Sequence, residues 1–134
     1  MEKILLKYAV LCGSAPDDFR QKKIVEMHTY LSSKEGGAFS ESNIVIFPNG
    51  VDELNFEFLL NNITEAEPEF ILLYFCPQEA VNEGEKSVWL SNNEIRKSVI
   101  DYYITNFPEI KFQVFYDSCR DFVSEESLGY EKLV

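Results

Sequence analysis

Histidine, cysteine, proline and glycine are all scarce in this sequence, and each scarcity excludes a class of protein. Among 134 residues there are one His, three Cys, five Pro and six Gly. Few prolines and glycines argue against a disordered or low-complexity chain. The cysteines, Cys12, Cys76 and Cys119, are odd in number and widely spaced, which predicts no disulfide framework and favours a reducing, cytoplasmic setting. With one histidine and no close cysteine pair, we expect no metal site and predict no cofactor.

Basic residues are also scarce, since 12 Lys and Arg face 23 Asp and Glu, for a net charge of −11. An acidic surface repels phosphate backbones and anionic lipids, so nucleic acid and membrane are not predicted partners. A protein or peptide partner, particularly a basic one, is compatible with this charge, and so is a homo-oligomer. No apolar run reaches the length of a membrane span, and the first residues lack the basic leader and cleavage site of a signal peptide.

Apolar residues, by contrast, make up 46% of the chain and fall into four short continuous runs. Continuous runs are typical of strands covered on both faces, as in a parallel sheet. The predicted strands are Tyr8–Cys12, Asn43–Phe47, Phe70–Cys76 and Phe112–Tyr116.

Three helical patterns alternate with these strands. The first, about residues 17–33, has Ile24, Met27, His28 and Leu31 at helical spacing, so the single histidine reads as a half-buried packing residue. The second follows the Asn49-Gly50 turn and is predicted to turn these residues inward: Val51, Leu54, Phe58 and Leu59. The third is predicted to begin at a capping pair, Ser91 and Glu94, and to bury Ile95, Val99, Tyr102 and Tyr103. Residues 84–90 are predicted to add a short ribbon.

The resulting β-α-β-α-β-α-β order predicts one α/β domain over residues 1–134, with a mostly parallel four-stranded sheet and helices on both faces. In such sheets, sites form outside the carboxyl ends of the strands. One glycine after the first strand, Gly13, is too few for a dinucleotide fingerprint, and no phosphate loop is present. A flavodoxin-like small-ligand domain, with its site in residues 12–18, is nevertheless one reading of this order.

The segment after the last strand, Asp117-Ser118-Cys119-Arg120, resembles the nucleophile segment of caspases, metacaspases and their bacterial relatives. The order of the strands before it is similar to that of this family. The resemblance implies a three-layer caspase-like sandwich with Cys119 as the candidate nucleophile. It also implies a binding region at the strand ends, with Ser14, Gln78, Asp117 and Arg120 as candidates.

The segment after the third strand departs from the family, which carries its catalytic histidine there. This chain has Cys76-Pro77-Gln78-Glu79 instead. Gln78 cannot titrate, and Glu79, the one candidate base, would disfavour a thiolate beside it when ionised. Asp121, Glu125 and Glu126 add negative charge near Cys119, which raises a thiol pKa.

We therefore expect a non-catalytic caspase-like domain that serves as a protein-binding or structural module. The alternative is a cysteine endopeptidase in which Cys119 takes its base from Glu79 or from a partner chain. Only fifteen residues follow Cys119, whereas the family continues with further strands that build the substrate pocket. We therefore expect either that another chain supplies those strands or that no substrate pocket exists.

Overall fold

The computed structural model describes residues 5–14, 18–77, 81 and 84–117. The chain order begins with strand β1 (Lys7–Cys12), helix α1 (Asp18–Ser32), a single 3₁₀ turn (Glu41–Asn43), strand β2 (Ile44–Phe47), helix α2 (Glu53–Glu65) and strand β3 (Phe70–Phe75). It continues with strands β4 (Ser87–Leu90) and β5 (Asn93–Arg96), helix α3 (Lys97–Asn106) and strand β6 (Lys111–Tyr116).

Four strands form one sheet in the order β2-β1-β3-β6, and every neighbouring pair is parallel. The two continuous apolar runs at its centre, β1 and β3, are paired on both sides, which is the environment that such runs predict. The prediction of an α/β domain with a four-stranded parallel sheet is thus confirmed. Within the described residues, β2 and β6 are the edge strands.

Alternate residues of the central strands enter two separate cores. Val10, Ile71 and Leu73 join a core that holds the buried side chains of α2 and α3. Ala9, Leu11 and Leu72 join a second core, to which α1 contributes Ile24 and Leu31. This alternation follows from the two-residue period of a strand. Ile24 and Leu31 are two of the residues that the sequence analysis predicted to pack inward from α1, and both are buried.

The prediction of which α2 residues point inward is wrong at two positions. Leu54 and Phe58 are 77% and 67% exposed, whereas the helix buries Phe56, Leu60 and Ile63. Both sets satisfy helical spacing, so periodicity alone could not choose between them. The 56–60–63 stripe is longer, and it is the one that packs on the sheet.

The predicted start of the third helix is also wrong. Ser91 lies in the turn between β4 and β5 with φ of 61°, and Glu94 belongs to β5. The ribbon therefore extends further than predicted, and its residue Ile95 is buried as part of a strand rather than of a helix. Helix α3 begins at Lys97 and buries Ile100 and Tyr103, while Tyr102 is exposed.

The ribbon packs into the core through Val88, Leu90 and Ile95, and it also approaches the start of α2 closely. Gly50 has φ of 98°, a conformation that suits glycine, and a Cβ there would lie 3.1 Å from the carbonyl oxygen of Leu90. The guanidinium of Arg96 donates to the carboxylate of Glu53, with Nη2 and Oε1 2.7 Å apart. These hydrogen bonds lower the pKa of Glu53.

Candidate functional site

The carboxyl ends of β1, β3 and β6 lie side by side and form the edge where the sequence analysis places the site. The register pairs Phe75 with Cys12 on one side and with Tyr116 on the other. The ladder continues one step beyond the strands, because Cys76 N–H donates to Cys12 C=O and Asp117 N–H donates to Phe75 C=O, both at 2.8 Å. The segments that follow β3 and β6 therefore start next to each other.

Ser14 is fully buried at this edge and has a structural partner. Its Oγ donates to the carbonyl oxygen of Cys76 at 2.7 Å, which joins the loop after β1 to the loop after β3. Gly13 is equally confined, since a Cβ there would lie 2.5 Å from the carbonyl oxygen of Pro48. These contacts bring the backbones that follow β1, β2 and β3 close together at this edge.

Asp117, another predicted site residue, is described and lies in a small polar cluster. Its Oδ2 accepts from the hydroxyl of Tyr74 at 2.6 Å and lies 3.5 Å from Nζ of Lys23 on α1. Sequence reasoning missed Tyr74 and Lys23. No local pattern pointed to them, because their proximity to Asp117 depends on the register of the folded sheet, in which Tyr74 lies opposite Phe115.

The cysteines of the described residues differ from one another. Cys12 is a free, fully buried thiol whose pKa burial raises well above its ordinary value, so it is not a nucleophile. Cys76 is buried and disulfide-bonded, which departs from the expectation of three reduced thiols. Four predicted site residues, Gln78, Glu79, Cys119 and Arg120, lie outside the described residues.

His28 lies in the second half of helix α1. Helix α1 starts at Asp18, near the carboxyl ends of the strands, and returns toward their amino ends to connect two parallel strands. His28 is ten residues into the helix, which corresponds to about 15 Å of helix length. Its side chain is half-buried, in keeping with the packing role predicted for it.

A groove of about 670 Å³ opens below Asp117 on the side of the sheet that faces α1. Aromatic and aliphatic side chains of the sheet and of α1 line it, including Phe70, Phe115 and Met27. Lys7 crosses its far end, where Nζ donates to Gly37 C=O and lies 4.9 Å from the centre of the Phe39 ring.

The described residues contain neither a candidate metal cluster nor a candidate membrane span. Over residues 5–14, 18–77, 81 and 84–117, no three His, Cys, Asp or Glu side chains are grouped closely enough to hold a metal ion. No helix in these ranges is long and apolar enough to cross a bilayer.

Comparison with known proteins adds no relative. No family model matches the sequence, and no match was found among curated proteins or among solved structures.

Proposed function

We propose that the chain is a degenerate caspase-like domain, with that family's three-layer arrangement, that does not hydrolyse peptides and acts as a protein-binding or structural module. Support for the family comes from the order β2-β1-β3-β6, with β6 running directly into Asp117-Ser118-Cys119-Arg120. The family resemblance places its base after the third strand and its nucleophile after the fourth. Here β3 and β6 are parallel neighbours, so those two segments begin side by side.

The absence of catalysis rests on the position of the one histidine. A cysteine peptidase needs an imidazole or equivalent base within about 3 Å of the sulfur. The only imidazole of this chain, that of His28, is ten residues into α1, which corresponds to about 15 Å of helix length from the first residue of the helix. Where the family has its histidine, this chain has Cys76 and Pro77, both buried, followed by Gln78 and Glu79.

The charge of the same edge supports the same conclusion. Asp117 places a carboxylate at the start of the nucleophile segment. Its Oδ2 lies 3.5 Å from Nζ of Lys23, so this nearby cation is paired with the carboxylate. A carboxylate close to a thiol raises the thiol pKa and so reduces the fraction of thiolate near neutral pH. Once the disulfide of Cys76 has been reduced, Cys119 is therefore expected to behave as an ordinary thiol.

Thiol reactivity tests this proposal directly. In the presence of reductant, Cys119 should react with iodoacetamide at a rate that follows the titration of an ordinary thiol, with a pKa of about 8.5. Peptide mapping by mass spectrometry separates it from buried Cys12 and from Cys76. Peptides with a basic residue at the cleavage position, which the family resemblance suggests, should remain intact.

The control is Cys119→Ala, assayed with the same peptides. Hydrolysis by the purified chain that disappears in Cys119→Ala would show that the domain is a peptidase. Rapid alkylation of Cys119 at pH 6 to 7 would contradict the proposal in the same sense, because it requires a depressed thiol pKa.

A further inference from the structure

The net charge of the chain is confined to one stretch of sequence. Residues 35–85 contain eleven acidic residues and no Lys, Arg or His, whereas the twelve acidic residues elsewhere are balanced by the twelve basic residues. This stretch includes β2 and α2, which are adjacent along the chain. Asp52, Glu57 and Glu65 of this stretch lie on α2 or at its start, so this helix contributes negative charge beside β2.

An apolar groove lies between β2 and α2 on that side. Its volume is about 500 Å³, and its apolar walls are Phe47 of β2 and Phe58 and Leu59 of α2. Its polar lining includes the side chains of Asp52, Asn55 and Asn62. Phe58 is 67% exposed, and Leu54, one turn earlier on α2, is 77% exposed. Large apolar side chains this exposed are typical of binding surfaces rather than of core packing.

The backbone of β2 is available beside the groove. Phe47 C=O accepts from Gly13 N–H, so by the alternation of a parallel ladder Phe47 and Val45 bond toward β1. The N–H and C=O of Ile46 then point away from β1, at the edge of the sheet as the described residues define it. An edge strand with unused donors and acceptors is a template for an added strand.

We propose that the β2 edge and the β2–α2 groove bind an extended, basic segment of another protein by strand addition. Backbone hydrogen bonds to Ile46 would give affinity, and every second side chain of the added strand would enter the groove between Phe47 and Phe58. Lysine or arginine in the segment would be attracted by the acidic side chains of α2, among them Asp52 beside the groove. This inference rests on the proposed function, because it names the kind of partner that the proposed protein-binding module would have.

Charge decides between the possible occupants of this surface. A second copy of the chain would bring a like-charged acidic face against it, which is unfavourable. Anionic lipids and nucleic acids are repelled for the same reason. A basic extended segment can fill the apolar groove, pair with the edge of β2 and be attracted by the negative charge of this surface.

The test uses the full chain and a fluorescent peptide of alternating lysine and valine, about nine residues long to match an ordinary strand. Fluorescence anisotropy should show saturable binding that weakens as salt rises toward physiological ionic strength. A glutamate-for-lysine peptide should not bind. The lysine-valine peptide with alternate backbone nitrogens methylated should bind about tenfold more weakly or worse, because it cannot complete the ladder.

Two variants locate the site on the protein. Phe58→Gln removes an exposed groove wall, and Ile46→Pro removes the outward N–H of β2, a change that edge strands tolerate. Each should weaken binding about tenfold or more. Tyr30→Gln, a similarly exposed aromatic residue on α1, should leave binding within about twofold of the wild type. If Ile46→Pro does not fold by circular dichroism, Phe58→Gln and the methylated peptide still decide the question.

Each remaining outcome overturns a defined part of the inference. Equal binding of the methylated peptide, or no effect of Phe58→Gln, would show that attraction is only electrostatic and not strand addition. Self-association of the free chain that Phe58→Gln abolishes, measured by analytical ultracentrifugation, would make a second copy the occupant. Cleavage of the peptide by the wild type but not by Cys119→Ala would contradict the proposed non-catalytic function. Binding is measured independently, so that result would not by itself contradict strand addition.

Discussion

At the scale of single residues, Ser14 changes from a candidate binding residue into a structural one. Its hydroxyl donates to the carbonyl oxygen of Cys76, and its side chain is fully buried. The polarity and position of a serine after a strand suggest a binding role equally well. Only the contact with a residue 62 positions later separates the two roles.

This role predicts a stability effect for Ser14→Ala. The substitution removes the donor from a buried carbonyl oxygen, so unfolding in urea should show a loss of about 1 to 3 kcal/mol in the free energy of unfolding. Ser32→Ala is the control, because the Ser32 hydroxyl bonds the His28 carbonyl on an exposed surface and should change stability by less than about 0.5 kcal/mol. Equal effects of the two substitutions would contradict the assignment.

At the scale of secondary-structure elements, α2 has two apolar faces and the fold uses only one. Phe56, Leu60 and Ile63 enter the core beside β1 and β3, whereas Leu54 and Phe58 remain exposed and become the basis of the binding inference. A helix that is apolar on two sides is typical of an element with a partner on each.

The start of α2 is set by Asp52, whose carboxylate accepts from Asn55 N–H at 2.8 Å. Asp52→Ala should lower the free energy of unfolding by about 1 kcal/mol, because an otherwise unpaired helix donor loses its acceptor. Asp52→Asn keeps the acceptor and should remain close to wild type in thermal unfolding. A loss as large in Asp52→Asn would mean that the charge of Asp52 matters more than the cap.

At the scale of the whole molecule, the charge distribution has a cost to stability. Eleven acidic residues without a basic one in residues 35–85 repel one another, and such self-repulsion destabilises the compact state. A binding surface for a basic partner gives a reason for a charge arrangement that stability alone would not favour.

Glu65, the last residue of α2, is exposed within this stretch. Glu65→Lys should raise the free energy of unfolding by about 0.3 to 1 kcal/mol, because it relieves repulsion and puts a cation at the negative end of the helix dipole. The gain should shrink as salt is added, which thermal melts at several ionic strengths would measure. Glu26→Lys on α1, an exposed residue outside the acidic stretch, is the control and should have a smaller effect. A salt-independent gain would rule out electrostatic repulsion as its cause.

The sequence by itself determined the alternation of strands and helices, the parallel sheet and the burial of its central strands, because continuous apolar runs have few other stable environments. It also determined the net charge and the absence of a second histidine, and with these the expectation of an inactive thiol. Two of its errors fall where two local solutions are equally good: the inward face of α2, and the segment from Ser91 to Arg96, which reads as a helix start but forms a ribbon. A third, the expectation that Cys76 is reduced, concerned a tertiary contact that no local pattern shows.

Only the tertiary structure decided which side chains meet. The contact of Ser14 with Cys76, the cluster of Tyr74, Lys23 and Asp117, and the groove between β2 and α2 all join residues far apart in sequence. These contacts depend on strand order and register, which come from the packing of the whole sheet rather than from any local pattern.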